Sequence, residues 1–217
     1  MTLRLEAVTL SAPGAPRETP LFAPLSLSIA PGEVVTVMGP SGCGKSSLLD
    51  FLCGTLPGRF TPQGAAFLDD QPLAGLPPER RRLGILFQDD LLFPHLSVGD
   101  NLAFGLPRDA AGSRSRADRR ALIENALAQA GLEGLAERHP ATLSGGQRAR
   151  ASVLRVLLSK PRALLLDEPF SKLDADLRMR FRDFVFDHAA EAGLPCLLVT
   201  HDPEDARGRI ISLEQHG

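Results

Sequence analysis

Residues 39–47 form the run Gly39, Pro40, Ser41, Gly42, Cys43, Gly44, Lys45, Ser46 and Ser47. It matches the pattern G-x-x-x-x-G-K-[ST] in full. Gly42 and Gly44 let the backbone curl so that its N–H groups face the β- and γ-phosphate oxygens of a nucleotide. Lys45 sets a compact ammonium against the same oxygens, and Ser46 offers a hydroxyl to Mg²⁺. Lysine occurs only at 45, 160 and 172 among 24 basic residues, so its place in this loop is not incidental. A glycine-rich turn without a ligand is the plainer alternative, and the strand-like run before the loop with the helical spacing after it favours the nucleotide. A hundred residues on, Leu143 and Ser144, Gly145, Gly146, Gln147 open a second helical pattern. A helix N-terminus there directs N–H groups and its positive dipole end at an anion. The plainer reading is Ser144 as an N-cap after a loop.

Two carboxylates complete the set. Asp167 ends the apolar run Ala-Leu-Leu-Leu-Asp, where a rigid carboxylate beside the phosphate loop can support the Mg²⁺ shell. Glu168 points elsewhere because side chains alternate along a strand, so one carboxylate can serve the metal while the other takes a proton from water. A solvated acidic strand end is the alternative. His201, in Val-Thr-His-Asp, stands at another strand end and can hold a phosphate or a water. His95, His139, His188 and His216 lack such a context.

These groups need elements to position them. "LRLEAVTL" alternates and reads as an edge strand, followed by a Pro/Gly loop and a second alternating run at 21–30. "VVTVMG" is β-branched throughout, the mark of a strand buried on both faces. Leu48, Leu49, Phe51 and Leu52 have helix spacing, ended by Gly54 and Pro57. A short strand and turn follow, then a strand ending at Gln88. From about Asp89 to Leu158 the pattern is mostly helical, with loops at 106–115 and 137–142. "RALLLD" and "LPCLLVTHD" are further buried strands, joined by a helical run at 176–193 as a βαβ crossover, and 209–217 holds a last short strand. The fold class is α/β, a phosphate-loop core with a mainly parallel sheet, an N-terminal antiparallel β subdomain and an inserted α-helical subdomain. One domain spans 1–217, with residues 1–88 and 159–217 as core and β subdomain and about 89–158 as the helical part.

Composition sets the outer bounds. A net charge of −2 with 43% hydrophobic residues leaves no electrostatic footprint for nucleic acid. Cys43, Cys53 and Cys196 form no C-x-x-C pair and fit reduced thiols in a cytosolic compartment. Cys43 lies inside the phosphate loop, where a bulky maleimide is expected to block nucleotide. No apolar stretch nears the roughly 18 residues of a membrane span, and the N-terminus does not read as a signal peptide.

Taken in order, these motifs resemble the ATP-binding cassette family, the nucleotide-binding subunits of ABC transporters, over nearly the whole chain. Residues 39–47 resemble its Walker A loop, Gln88 its Q-loop glutamine, and Leu143–Gln147 its signature. Leu164–Glu168 resembles Walker B with the catalytic glutamate, Ser171 to Asp174 the D-loop, and His201 the switch histidine. The resemblance implies two copies facing head to tail, each ATP on one chain's Walker A loop and covered by the other's Ser144, Gly145 and Gly146. It implies ATP hydrolysis with Mg²⁺ near Ser46, Gln88 and Asp167, a base at Glu168, and sensors at His201 and Gln88. It also implies a homodimer in the ATP-bound state, transmembrane permease subunits, a periplasmic binding protein, no nucleic acid, and a peripheral place on the cytoplasmic face of the inner membrane.

"LFPHLSVGDNLAFGL", residues 92–106, is similar to the stretch that receives a coupling helix in bacterial importers of the thiamine, iron, sulfate and molybdate group. Leu92, Phe93, Pro94 and Leu96 would form the apolar patch; a packed loop is the plainer reading. Three features depart from the family. The adenine-stacking aromatic expected near residues 11–14 is missing, Ala12 stands in its place, and Phe22 is near but out of position. Lys172 replaces a small D-loop residue, and the helix after "THDPEDA" should be stunted. A non-transport cassette ATPase, an export-type subunit and a small phosphate-loop metabolite kinase remain alternatives.

Overall fold

The computed structural model describes residues 1–12, 14, 19–87, 91–107 and 115–213. In chain order the elements are β1 (Leu3–Ser11), β2 (Leu25–Ile29), β3 (Val34–Met38), α1 (Lys45–Cys53), β4 (Thr61–Leu68), β5 (Gln71–Pro72), α2 (Pro78–Arg81) and β6 (Leu83–Leu86). Then come α3 (Val98–Gly105), α4 (Arg116–Gln129), a 3₁₀ turn at Pro140–Thr142, α5 (Gly145–Leu158), β7 (Ala163–Asp167), α6 (Ala175–Glu191), β8 (Cys196–Thr200) and β9 (Arg209–Ser212). They make an α/β fold with two sheets. One is antiparallel, in the order β2-β1-β4-β5, and the other has the order β6-β7-β8-β3-β9, in which β7, β8, β3 and β9 pair parallel.

Contacts divide the chain into a first unit of residues 1–85, 162–168 and 188–217 and a second of 86–161 and 169–187. In the first unit β7 and β8 are buried at every residue, as both-face burial demands of a crossover strand. Leu48, Leu49 and Leu52 of α1 join one apolar cluster with Val35, Val37, Leu165, Leu197 and the inward side chains of β1, β2 and β4. Each such leucine contributes about 1.5–3 kcal/mol. Arg81 donates to the carbonyls of Phe51 and Leu52 at 2.8 and 2.7 Å and so completes the end of α1.

β1 is not an edge strand, as its alternation suggested, but lies between β2 and β4. Its inward residues switch from Leu3 and Leu5 to Val8 and Leu10 because a bulge shifts the register between Leu5 and Val8, with Ala7 at φ 48°. Gly64 answers the bulge from β4; a Cβ there would stand 2.4 Å from the Ala7 carbonyl oxygen. Between Thr200 and β9 the described residues form only turns and bends, without even a short helix. Thr36 Oγ1 holds that loop by donating to the Arg207 carbonyl at 2.7 Å and accepting its N–H at 2.9 Å.

In the second unit α3, α4 and α5 pack through Val98, Leu102, Ile123, Leu127, Val153 and Leu154. Phe170 meets Phe181 and Phe186 edge to face. Among the described residues no helix is long and apolar enough to cross a membrane.

Candidate active site

The phosphate loop joins the buried strand β3 to α1. Gly44 caps the helix at φ 98°, a conformation that favours glycine, and a Cβ there would also crowd Leu21 and Phe22 at 3.1 Å. Lys45 is 7% exposed, and its Nζ donates to the carbonyls of Gly39 and Pro40 at 2.8 Å each. The loop itself thus aims the ammonium. Cys43 is fully buried, so a bulky maleimide has no path to it, contrary to the sequence expectation.

Ser46 is exposed at the start of α1 and donates to the Asp167 carboxylate at the end of β7. Burial pushes the Asp167 carboxyl above the usual carboxylate range, helped by the charges of Glu168 and Asp50 and opposed by Ser46 and Lys45. A hydroxyl and an under-compensated carboxylate, both hard oxygen donors, suit Mg²⁺ with its retained waters and phosphate oxygens. Gln88 lies outside the described residues.

A raised carboxylate pKa means the folded chain holds that proton more tightly than the unfolded chain. Its contribution to stability is complete below the unfolded pKa and lost as pH rises through the folded one. Asp167→Asn removes the buried charge, so it is expected to melt higher than the parent at neutral pH while ATP turnover falls about 100-fold or more. Calorimetry beside a phosphate-release assay checks both, and a lower Tm with turnover intact contradicts the placement.

Glu168 is not part of the strand. It sits just past β7 at φ 47°, donates its N–H to the Val199 carbonyl at 2.9 Å, and so diverges from Asp167 through a left-handed backbone step rather than strand alternation. Its Oε1 meets His201 Nδ1 at 2.6 Å, with Glu168 mostly buried and His201 60% exposed. Lys45, Ser46, Asp167, Glu168 and His201 thus all stand at strand ends or the helix start of the first unit.

The second unit carries the other motifs. Helix α5 begins at Gly145, two residues before Gln147. Ser144 Oγ accepts the Gln147 N–H at 3.2 Å, and Gln147 Oε1 accepts the Ser144 N–H at 2.8 Å, a complete capping box. Asp174 caps α6 by accepting the Leu177 N–H at 3.0 Å. Ser171 and Lys172 are exposed, and Leu173 comes within 3.1 Å of where a Cβ on Gly146 would be.

Two organising residues escaped sequence reasoning. Arg150, 8% exposed, donates to the Ala130 and Gly131 carbonyls at 2.6 and 3.1 Å. A charge four residues after Gly146, on the apolar face of α5, was the signal. Asn101, fully buried, clamps the loop before α3 by accepting from Phe93 N–H at 2.8 Å and donating to the Phe93, Leu96 and Ser97 carbonyls. On that loop Phe93 packs edge-on to Phe104 at 4.8 Å with the Arg155 guanidinium over its ring. Phe104 is 70% and Leu91 54% exposed.

Comparison with known proteins identifies the family and the fold. A family model described as ABC transporter matches residues 22–171. The chain is 47% identical over 188 residues to the uncharacterized ABC transporter ATP-binding protein YnjD of Escherichia coli K12, covering 87% of this chain and 85% of that one. It is 42% identical over 182 residues to the spermidine/putrescine import ATP-binding protein PotA of Marinobacter nauticus, covering 84% of this chain and 47% of PotA. The Fe(3+) ions import ATP-binding protein FbpC 1 of Rhizobium meliloti is also 42% identical, over 84% of this chain and 50% of its own. The chain therefore spans about half the length of these two importer proteins. The dimeric post-hydrolysis structure of the ATP-binding cassette MJ0796, bound to ADP and Pi, superposes with a TM-score of 0.83 at 31% identity, covering 98% of this chain and 94% of that one.

Proposed function

Since the chain belongs to the ABC transporter family and is an ATP-hydrolysing subunit of that kind, we propose that it powers a bacterial importer. The observation that carries the catalytic part is the 2.6 Å contact of Glu168 with His201, next to the Asp167–Ser46 pair. In this reading Lys45 and the loop N–H groups hold the β- and γ-phosphates. Ser46, Asp167 and Gln88 hold Mg²⁺, which when bound neutralises phosphate charge. Glu168 takes the proton of the attacking water, and His201 keeps that carboxylate aimed and faces the γ-phosphate. Ser144, Gly145 and Gly146 cover the nucleotide of a second copy, with the D-loop residues Ser171 and Asp174 beside them. Positioning and charge stabilisation supply most of the acceleration.

The importer reading is supported by the names of PotA and FbpC and by the exposed Phe104 and Leu91 beside Phe93. That patch receives a helix of a permease subunit, with a periplasmic binding protein on the far side and this chain peripheral on the cytoplasmic face of the inner membrane. Phe104→Ala is expected to reduce ATP turnover by the free chain less than twofold while cutting co-purification with its permease about tenfold, the cost of one large apolar anchor. Undiminished co-purification would remove the patch from docking.

A further inference from the structure

A nucleotide on the phosphate loop extends its base away from Lys45, and the base needs a surface. Phe22 is fully buried, so it offers none. Phe51 packs against the core, and Phe67 lies under the Arg4 guanidinium at 4.3 Å on the outward side of β4. Phe60 is different. It is half-buried and, among the described residues, stands outside the core cluster, with the Arg59 guanidinium 6.0 Å from its ring centroid.

Its place follows from register. Beyond the bulge β1 and β4 pair as Thr9 with Gln63, Leu10 with Pro62 and Ser11 with Thr61, so the next step sets Phe60 opposite Ala12. Cross-strand partners share a face. Val8 and Leu10 put the Ala12 position on the inward face, and buried Ala66 and Leu68 do the same for Phe60. The same end of the sheet borders the phosphate loop. Pro20 bridges Ser11, Leu21 donates to the Leu10 carbonyl at 2.7 Å, and Leu21 and Phe22 reach the space beside Gly44. Adjacent strands lie about 4.8 Å apart, so Phe60 is two strands, roughly 10 Å, from the segment that touches Gly44. That is within the span from base to terminal phosphates, and Ala12 is small enough to leave the ring open.

We propose that Phe60 is a nucleotide-specificity residue, the aromatic face on which the adenine of ATP stacks, with Ala12 providing the clearance. This rests on the ATP-hydrolysing reading above, so the parent chain is assayed first; without phosphate release from Mg-ATP it is that reading which fails. The chain contains no tryptophan, and Phe60→Trp therefore introduces a single fluorophore. Its emission is expected to be quenched by Mg-ATP and left unchanged by Mg-tripolyphosphate, which carries the same phosphates without a base. Phe60→Ala is expected to raise the KM for ATP about tenfold, the range of one lost base–aromatic stack, and the KM for UTP less. Phe60→Leu keeps apolar bulk without the ring and should share the defect. A parental KM for ATP in the alanine and leucine variants overturns the proposal. So does an equal loss for ATP and UTP, or a tryptophan signal that tripolyphosphate moves as far as ATP does.

Discussion

Glu168→Gln binds Mg-ATP and stops there: turnover is expected to fall by a factor of about 10²–10³, and the chain to accumulate as an ATP-loaded dimer. The amide keeps the shape of the carboxylate, and its Oε1 can still accept from His201 Nδ1 in place of the present 2.6 Å contact. What it loses is the ability to take a proton. Glutamine also meets the same backbone demand at φ 47°, so the change tests chemistry rather than folding. Phosphate release and size-exclusion chromatography with and without ATP read the two halves of the expectation. Hydrolysis at the parental rate would remove Glu168 from the reaction.

The second large effect concerns the split of each site between two copies. Lys45→Ala empties the phosphate loop of its charge, and the cost is high because Nζ is fixed by two carbonyls at 2.8 Å. Gly146→Asp adds a carboxylate at the first turn of α5, where the nearest neighbour of a new Cβ is the flexible end of Leu173 at 3.1 Å, with the Lys172 carbonyl oxygen at 3.7 Å. Either variant alone is expected to lose at least about 99% of turnover, since transition-state donors of this kind are worth about 10²–10³ each. Mixed together, they recover. In a two-fold dimer the intact loop of the Gly146→Asp chain meets the intact signature of the Lys45→Ala chain, so random pairing restores up to about a quarter of parental turnover. No recovery on mixing would show that each chain covers its own nucleotide or that both sites must be whole.

Much of this was legible in sequence because the informative elements are buried on both faces. The runs around Val34–Met38, Ala163–Asp167 and Cys196–Thr200 have no outward face to blur the pattern, and the structure makes each a strand of the parallel sheet. The misreadings arose where one backbone step breaks a period. A bulge at Ala7 moves the inward set of β1 from odd to even positions, and the left-handed step at Glu168 redirects a side chain that strand alternation had placed. Asn101 left no trace in the sequence and Arg150 only a charge on an apolar helix face, for another reason. A buried amide or guanidinium that serves backbone carbonyls has no partner residue type to betray it. The place of β1 inside its sheet depends on pairing with β2 and with the still more distant β4, beyond any local signal.

The reciprocal cap at Ser144 and Gln147 is closed within the single chain. The turn that would meet a partner's nucleotide is therefore preorganised, and docking carries no entropy of freezing that helix end. In the proposed dimer, association would then cost rigid-body translation and rotation rather than local refolding.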